Sequence, residues 1–354
     1  NEELQDSYRD TLKAFYSVLK TMDKYIQFAF LTGVTKFGKV SVFSDLNNLK
    51  DISMDKRYTE LCGITNEEIH HYLETDLHIL ADTQGMSYEE TCQELKECYD
   101  GYHFTFDSAG IYNPFSLLNT FDSMSFGNYW FETGTPSYLV KLLKRDNYDL
   151  HQLANDTLNS IDSSSKNPVP VIYQSGYLTI KDYDKRFGIY YLGFPNREVE
   201  EGFIKYLVPF YTSIDEGKTA FYITEFVHDV EEGNYEDFFI RLQSLFADTP
   251  YELIRDLELH YQNVLFIVSK LLGFYVQAEY HTSDGRIDLT VQTDKYIYVM
   301  EFKFDGSAEE ALQQIEEKRY ILPFAKDNRK IVKVGVNFSS KTRNIEKWLV
   351  KEVE

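Results

Sequence analysis

Cysteine is scarce in this sequence, long apolar runs are missing, and cations are outnumbered. Cys62, Cys92 and Cys98 form an odd set without a C-x-x-C pair. That excludes a disulfide framework and a cysteine-built zinc site, so reduced thiols in a cytoplasmic protein are expected. The longest apolar stretch, Val264 to Val276, is interrupted by Ser269 and Lys270. It is too short to cross a bilayer, and no secretory signal is visible, so no membrane partner is expected. Lys and Arg total 36 against 57 Asp and Glu, a formal net charge of −21. Such a balance at first sight disfavours nucleic acid. The deficit is uneven, however. From Pro250 to Glu354 there are 15 Lys+Arg against 17 Asp+Glu, a net of −2, which leaves −19 on the first 249 residues. The C-terminal part can therefore approach a phosphate backbone, while the acidic part suits protein partners.

A working nucleotide site is also lacking. No G-x-x-x-x-G-K-[ST] occurs, and no run of four apolar residues ends in Asp-Glu. The nearest approach is FLTGVTKFGKVSVFSD, Phe30 to Asp45, in which Gly33, Gly38 and Lys39 are spaced correctly but Val40 replaces the hydroxyl that would hold magnesium. A phosphate-binding loop must also open a helix, and VSVF alternates instead. The stretch is read as a late core strand and loop. Because the first residue is Asn, the chain is expected to be a fragment of a longer protein.

What is present fits a globular chain of two or three domains: 354 residues, 43% hydrophobic and 26% charged, with 28 Tyr and 26 Phe. Residues 3–24 have helical spacing through Leu4, Tyr8, Leu12, Phe15, Leu19 and Met22. Tyr25 to Thr32 reads as a short buried strand. Residues 66–98 are acidic and helical with a break near Gly85, and Ser87 with Glu90 makes a capping box. YDGYHF (99–104) and IYNPFSLL (111–118) are turn-rich and lead into a helix, and Thr135-Pro136-Ser137 opens another over 137–145. IDSSSKNPVP (161–170) is a loop by composition. SGYLTIKDYDKRFGIYYLGFPN (175–196) reads as a hairpin turning at Asp184 to Gly188, followed by a helix from Glu198 to Tyr211. Helices followed by a hairpin suggest a winged-helix-like module. Residues 217–247 are helical.

From Tyr251 the order becomes a helix (251–272), strands (274–281, 286–293, 296–304), a helix (307–320) and a strand (331–338), a compact α/β domain. The segment GRIDLTVQTDKYIYVMEFKF carries the chemistry. If Asp294-Lys295 is a two-residue turn, Asp288 lies directly opposite Glu301, and Arg286 opposite Lys303. Facing carboxylates repel unless a divalent cation sits between them. Magnesium takes hard oxygen ligands and commonly uses one or two carboxylates, and the Phe302 carbonyl can add another oxygen. Lys303 shares the Glu301 face and would place an ammonium beside a phosphate. Gln314, on the following helix, can hydrogen-bond a water or phosphate. These parts suffice for phosphodiester hydrolysis. The alternative is a hairpin with solvated charges on an exposed face and a polar helix residue.

Gly285-Arg286-Ile287-Asp288, then Glu301-Phe302-Lys303, then ALQQIEEKRY (311–320) resemble the PD-(D/E)XK nuclease superfamily over residues 251–350. More narrowly they are similar to the nuclease-like domain that follows an AAA-ATPase-like region in many bacterial proteins. TGVTKFGKVSVFSDLNNLKDIS, YDGYHF, YNPFSLL and TGTPSYL resemble that preceding region. The resemblance implies Mg²⁺ or Mn²⁺ at Asp288, Glu301 and Phe302, a catalytic Lys303, a supporting Gln314, and cleavage of nucleic acid, DNA ahead of RNA. Glu258 is a candidate helix acid and Glu279 a further candidate, with solvated charges as the alternative. The implied fold is multidomain α/β: a partial AAA-like core (1–60), a helical lid-like region (61–160), a winged-helix-like and helical module (161–249), and a restriction-endonuclease-like domain (250–354). Two rivals to a nuclease stay open. One is a non-catalytic regulatory or protein-interaction module; the other is a subunit of a nucleotide-dependent switch.

Overall fold

The computed structural model describes residues 2–33, 50–132, 137–150, 157–158, 167–212, 214–247, 256–281 and 288–353. The near-match at 33–40, the loop at 161–166, and Gly285, Arg286 and Ile287 lie, wholly or nearly so, outside the described residues. The chain divides into two compact units, one of Asn1–Leu143 with Gln152–Glu200 and one of Lys144–His151 with Glu201–Glu354. Cys62, Cys92 and Cys98 are free thiols. Among the described residues no helix is long and apolar enough to cross a membrane.

In the first unit, helix α1 (Glu2–Thr21) follows the expected spacing. The strand expected over 25–32 does not form. Asp23–Tyr25 is a 3₁₀ turn, residues 28–33 have no regular structure, and Phe28 is 82% exposed. An apolar run becomes a strand only where a neighbour takes up its backbone donors and acceptors, and no described strand does so here. Helices α2 (Asn66–Tyr72), α3 (Glu74–Gln84), α4 (Tyr88–Tyr99) and α5 (Pro114–Ser123) follow. The capping box of Ser87 and Glu90 starts α4, a second one of Thr65 and Glu68 starts α2, and the Asn113 side chain with Pro114 starts α5. The helices bury Leu77, Leu80, Leu95, Tyr99, Leu117 and Phe121 against one another. Then come α6 (Tyr129–Glu132), α7 (Ser137–Arg145), β1 (Thr157–Leu158), α8 (Val169–Gln174), β2 (Thr179–Asp184) and β3 (Ile189–Gly193). The three strands form an antiparallel sheet in the order β1-β3-β2. The hairpin turns where expected, and Gly188 closes it at φ +68°, a conformation most side chains resist.

Helix α9 (Arg197–Tyr211) begins in this unit. In its first turn Glu198 is 2% exposed, and its Oε1 accepts from Ser116 Oγ at 2.9 Å and from the Trp130 amide at 2.7 Å. The carboxylate is thus fixed by donors and by the positive end of a helix.

The second unit contains α10 (Thr219–Glu232), α11 (Tyr235–Ala247), α12 (Leu257–Gly273), β4 (Gln277–Tyr280), β5 (Leu289–Gln292), β6 (Tyr296–Phe304), α13 (Ala308–Glu317), β7 (Lys330–Ser339) and β8 (Asn344–Glu352). The α-β-β-β-α-β order is present, and β8 adds an edge strand that the sequence reading did not anticipate. Sheet order is β4-β5-β6-β7-β8, antiparallel except for β6 and β7, which α13 connects in parallel. Nine of the ten residues of β7 are buried, which fits a strand covered on both faces. On one face, Ile297, Val299 and Ile331 pack against Ile315 of α13. On the other, Tyr261 of α12 stacks on Phe338 at 4.7 Å and Phe246 of α11 meets Phe338 edge-on at 5.3 Å. Lys347 pairs with Glu309, and Lys333 with Glu316, tying α13 to the sheet.

Candidate active site

The hairpin of β5 and β6 sets the site. Thr293 N–H donates to Tyr296 O at 2.9 Å, leaving Asp294 and Lys295 at the turn. The ladder then pairs Leu289 with Met300, Thr290 with Val299 and Val291 with Tyr298. Continued by one step, that register sets Asp288 opposite Glu301, as the alternation of the sequence predicts. Facing residues share one side of a sheet.

The row extends in both directions. Tyr280 pairs with Leu289, and His281 N–H donates to Asp288 O at 2.8 Å, so His281 stands beside Asp288 on β4's side. On the other flank Glu301 pairs with Gly335. A Cβ at Gly335 would fall 2.3 Å from Ala308 O and 2.8 Å from Leu312 N. Only a bare backbone there lets α13 lie close over the row. That approach brings Gln314 within reach of the acids.

Glu301 is 2% exposed. Its Oε1 accepts from Lys303 Nζ at 3.2 Å and from Gln314 Nε2, and the Gln314 Oε1 accepts from Lys303. Gln314 Nε2 also reaches Tyr320 Oη at 3.3 Å. The other oxygen of Glu301 is buried without a hydrogen-bond partner. Burial, and next the charge of Asp288, push the Glu301 carboxyl up to about 7, with Lys303 offsetting part of the rise. Asp288 Oδ2 accepts the Phe302 amide at 2.9 Å. A residue's N–H and C=O leave a strand by the same edge, so the Phe302 carbonyl is directed to the Asp288 side as well.

Asp288, Glu301, Lys303 and Gln314 are thus gathered in one place. The other two acids are not: Glu258 is exposed in the first turn of α12, and Glu279 is 61% exposed with His281 Nε2 at 3.7 Å. Sequence reasoning missed His281, Tyr320 and Gly335. The signal for His281 was its place two residues beyond Glu279 in the strand before Asp288. Among the described residues no group of three or more His, Cys, Asp or Glu side chains forms a metal cage. Two carboxylates, one with an orphaned buried oxygen, and a carbonyl at a strand edge instead fit a hard cation that keeps much of its water.

Residues 256–348 match the model of the PD-(D/E)XK nuclease superfamily, and residues 1–43 match that of a predicted AAA-ATPase. An uncharacterized protein in the vnfD 5′ region of Azotobacter chroococcum mcd 1 is 35% identical over 370 residues, covering 99% of this chain and 68% of the relative. No solved structure matches the chain.

Proposed function

Because the chain belongs to the AAA-ATPase-like proteins that carry a PD-(D/E)XK nuclease superfamily domain, we propose that it is a divalent-metal-dependent nuclease acting at Asp288, Glu301 and Lys303. The observation that carries this reading is the buried pairing of Glu301 with a second carboxylate, clasped by Lys303 and Gln314. A buried acid facing a second, half-buried one has the kind of environment in which functional carboxylates concentrate.

Asp288, Glu301 and the Phe302 carbonyl would hold Mg²⁺ or Mn²⁺. Such an ion, when bound, neutralises charge on the scissile phosphate and makes water a stronger acid. Lys303 extends its ammonium along the same face, where it can hydrogen-bond a phosphate oxygen and stabilise the charge that builds there. Gln314 fixes both the Glu301 carboxylate and the Lys303 ammonium, so their spacing is set before substrate arrives. Ionised Glu301 is the working form. Cleavage should therefore rise with pH through about 7 in the absence of tight metal binding. DNA is the substrate to try first, and the free thiols suit a reducing cytoplasm.

The test is cleavage of linear, branched and single-stranded DNA and RNA with Mg²⁺ or Mn²⁺. Asp288→Ala, Glu301→Ala and Lys303→Ala should each lower the rate by about a thousandfold. Activity that survives Glu301→Ala and Lys303→Ala would remove these residues from the chemistry. A wild-type chain that cleaves nothing would favour the regulatory-module reading.

A further inference from the structure

A second feature of the sequence, the hairpin read as part of a winged-helix-like module, has no role in phosphodiester cleavage. Its tip is the segment Asp184-Lys185-Arg186-Phe187-Gly188. The tip is held firmly: Asp184 Oδ1 accepts the amides of Arg186 at 2.8 Å and Phe187 at 3.1 Å, and Gly188 N–H donates to Asp184 O at 2.8 Å. Lys185, Arg186 and Phe187 nevertheless project into solvent, with Phe187 63% exposed. The tip thus holds two cations and an aromatic ring together in solvent.

The surroundings repeat this pairing of rings and cations. The Arg186 guanidinium lies 4.9 Å from the Phe187 ring centre. Lys185 Nζ lies 4.9 Å from the ring of Phe106, and Lys56 Nζ lies 5.5 Å from the same ring. Phe106 is 5.4 Å from Tyr183, which is 4.5 Å from Tyr190, so three rings run in series beneath the tip. Lys56 is paired with Asp107. Among the described residues Lys185 and Arg186 have no ion-pair partner. Free cations on a stretch of chain whose net charge is −19 are a local reversal of sign.

We propose that this hairpin tip, with Phe106 and Lys56 beside it, is a binding platform for single-stranded nucleic acid. It rests on the proposed nuclease function only for the class of partner. The exposed Phe187 ring, with the half-buried rings behind it, can take unpaired bases face to face once the cations lying over Phe106 and Phe187 turn outward to meet the phosphates between them. A duplex keeps its bases stacked internally and offers the rings nothing. An acidic peptide would satisfy the cations but leave Phe187 and the Tyr183–Tyr190 strip without a planar partner.

The experiment is fluorescence anisotropy with labelled oligo-dT and oligo-U of about 15 nucleotides, a length that spans an ordinary single-strand site. A matched duplex and poly-glutamate serve as competitors, with EDTA present so that no strand is cut. The full chain should prefer single strands to duplex. Lys185→Ala with Arg186→Ala should weaken binding at least tenfold and lower the slope of log K against log salt by about 1.4, the value for two phosphate contacts. Phe187→Ala should weaken binding about tenfold with the slope unchanged. The exposed substitutions leave Asp184 in place, and unchanged thermal melts would show that the fold is intact. Single-strand binding equal to wild type in the hairpin variants would overturn the proposal, as would displacement by poly-glutamate better than by oligonucleotide. Hairpin-dependent binding by a wild-type chain that cleaves nothing would refute the nuclease reading and leave the platform standing.

Discussion

Glu198 and Glu301 are buried to the same degree, each 2% exposed, and their surroundings differ in kind. Glu198 sits at the first turn of a helix and accepts from the Ser116 hydroxyl and the Trp130 backbone amide. Glu301 sits on a strand facing another acid, and its one bonded oxygen is held by the long side chains of Lys303 and Gln314. Burial alone therefore does not mark a functional carboxylate. What sets Glu301 apart is a neighbouring acid that makes its charge costly, the environment in which functional carboxylates are sought.

Glu198→Ala should cost about 3 kcal/mol, because the Ser116 hydroxyl loses its acceptor inside the protein and the Trp130 amide keeps only the longer bond to Ser116 Oγ at 3.2 Å. Chemical denaturation would show it, with metal affinity unaltered. A loss under about 1 kcal/mol would mean that Glu198 is not the structural acid described here.

Gly335→Ala comes next. The added methyl meets the backbone of α13, which has no room to yield without lifting Gln314 away from Glu301. A loss of about 2 kcal/mol is expected, together with reduced cleavage. Unchanged stability and rate would show that α13 does not need to lie so close.

The folded Glu301 carboxyl titrates near 7, above the ordinary value of 4.5. The folded state therefore holds its proton more tightly than the unfolded state. That contribution is complete below about 4.5 and is lost as pH rises through about 7. Wild-type stability without metal should fall across this window by on the order of 2 kcal/mol. Glu301→Gln should flatten the curve, and a variant curve parallel to wild type would contradict the assignment. The smallest effect is expected at Gln314, where Gln314→Ala should slow cleavage about tenfold by loosening Glu301 and Lys303.

Much of the candidate site was legible in the sequence because hairpin chemistry is local. A two-residue turn and strict alternation leave one register, and that register sets Asp288 against Glu301. Gln314 followed from helical spacing. His281 did not, because its place beside Asp288 depends on how β4 and β5 pair across residues 282–287. Nor did Gly335, whose role is set by a helix that crosses it from elsewhere in the chain. Strand β8 was hidden by its charges: Glu346, Lys347 and Lys351 suit a solvent-facing edge and look like loop. The opposite error occurred at Tyr25–Thr32, where apolar residues suggested a strand that has no described neighbour to pair with. Glu198 read as an ordinary acid at a helix start, since nothing local reveals that Ser116 and Trp130 close over it.

We infer that Asp288 and Glu301 are paired to hold a cation and that Glu198 is not. Titration calorimetry with Mg²⁺ and Mn²⁺ on wild type, Asp288→Ala and Glu198→Gln tests it most directly. Binding should be present in wild type and Glu198→Gln, strengthen as pH rises past about 7, and disappear in Asp288→Ala. Equal heats in wild type and Asp288→Ala, whether large or negligible, would contradict the account.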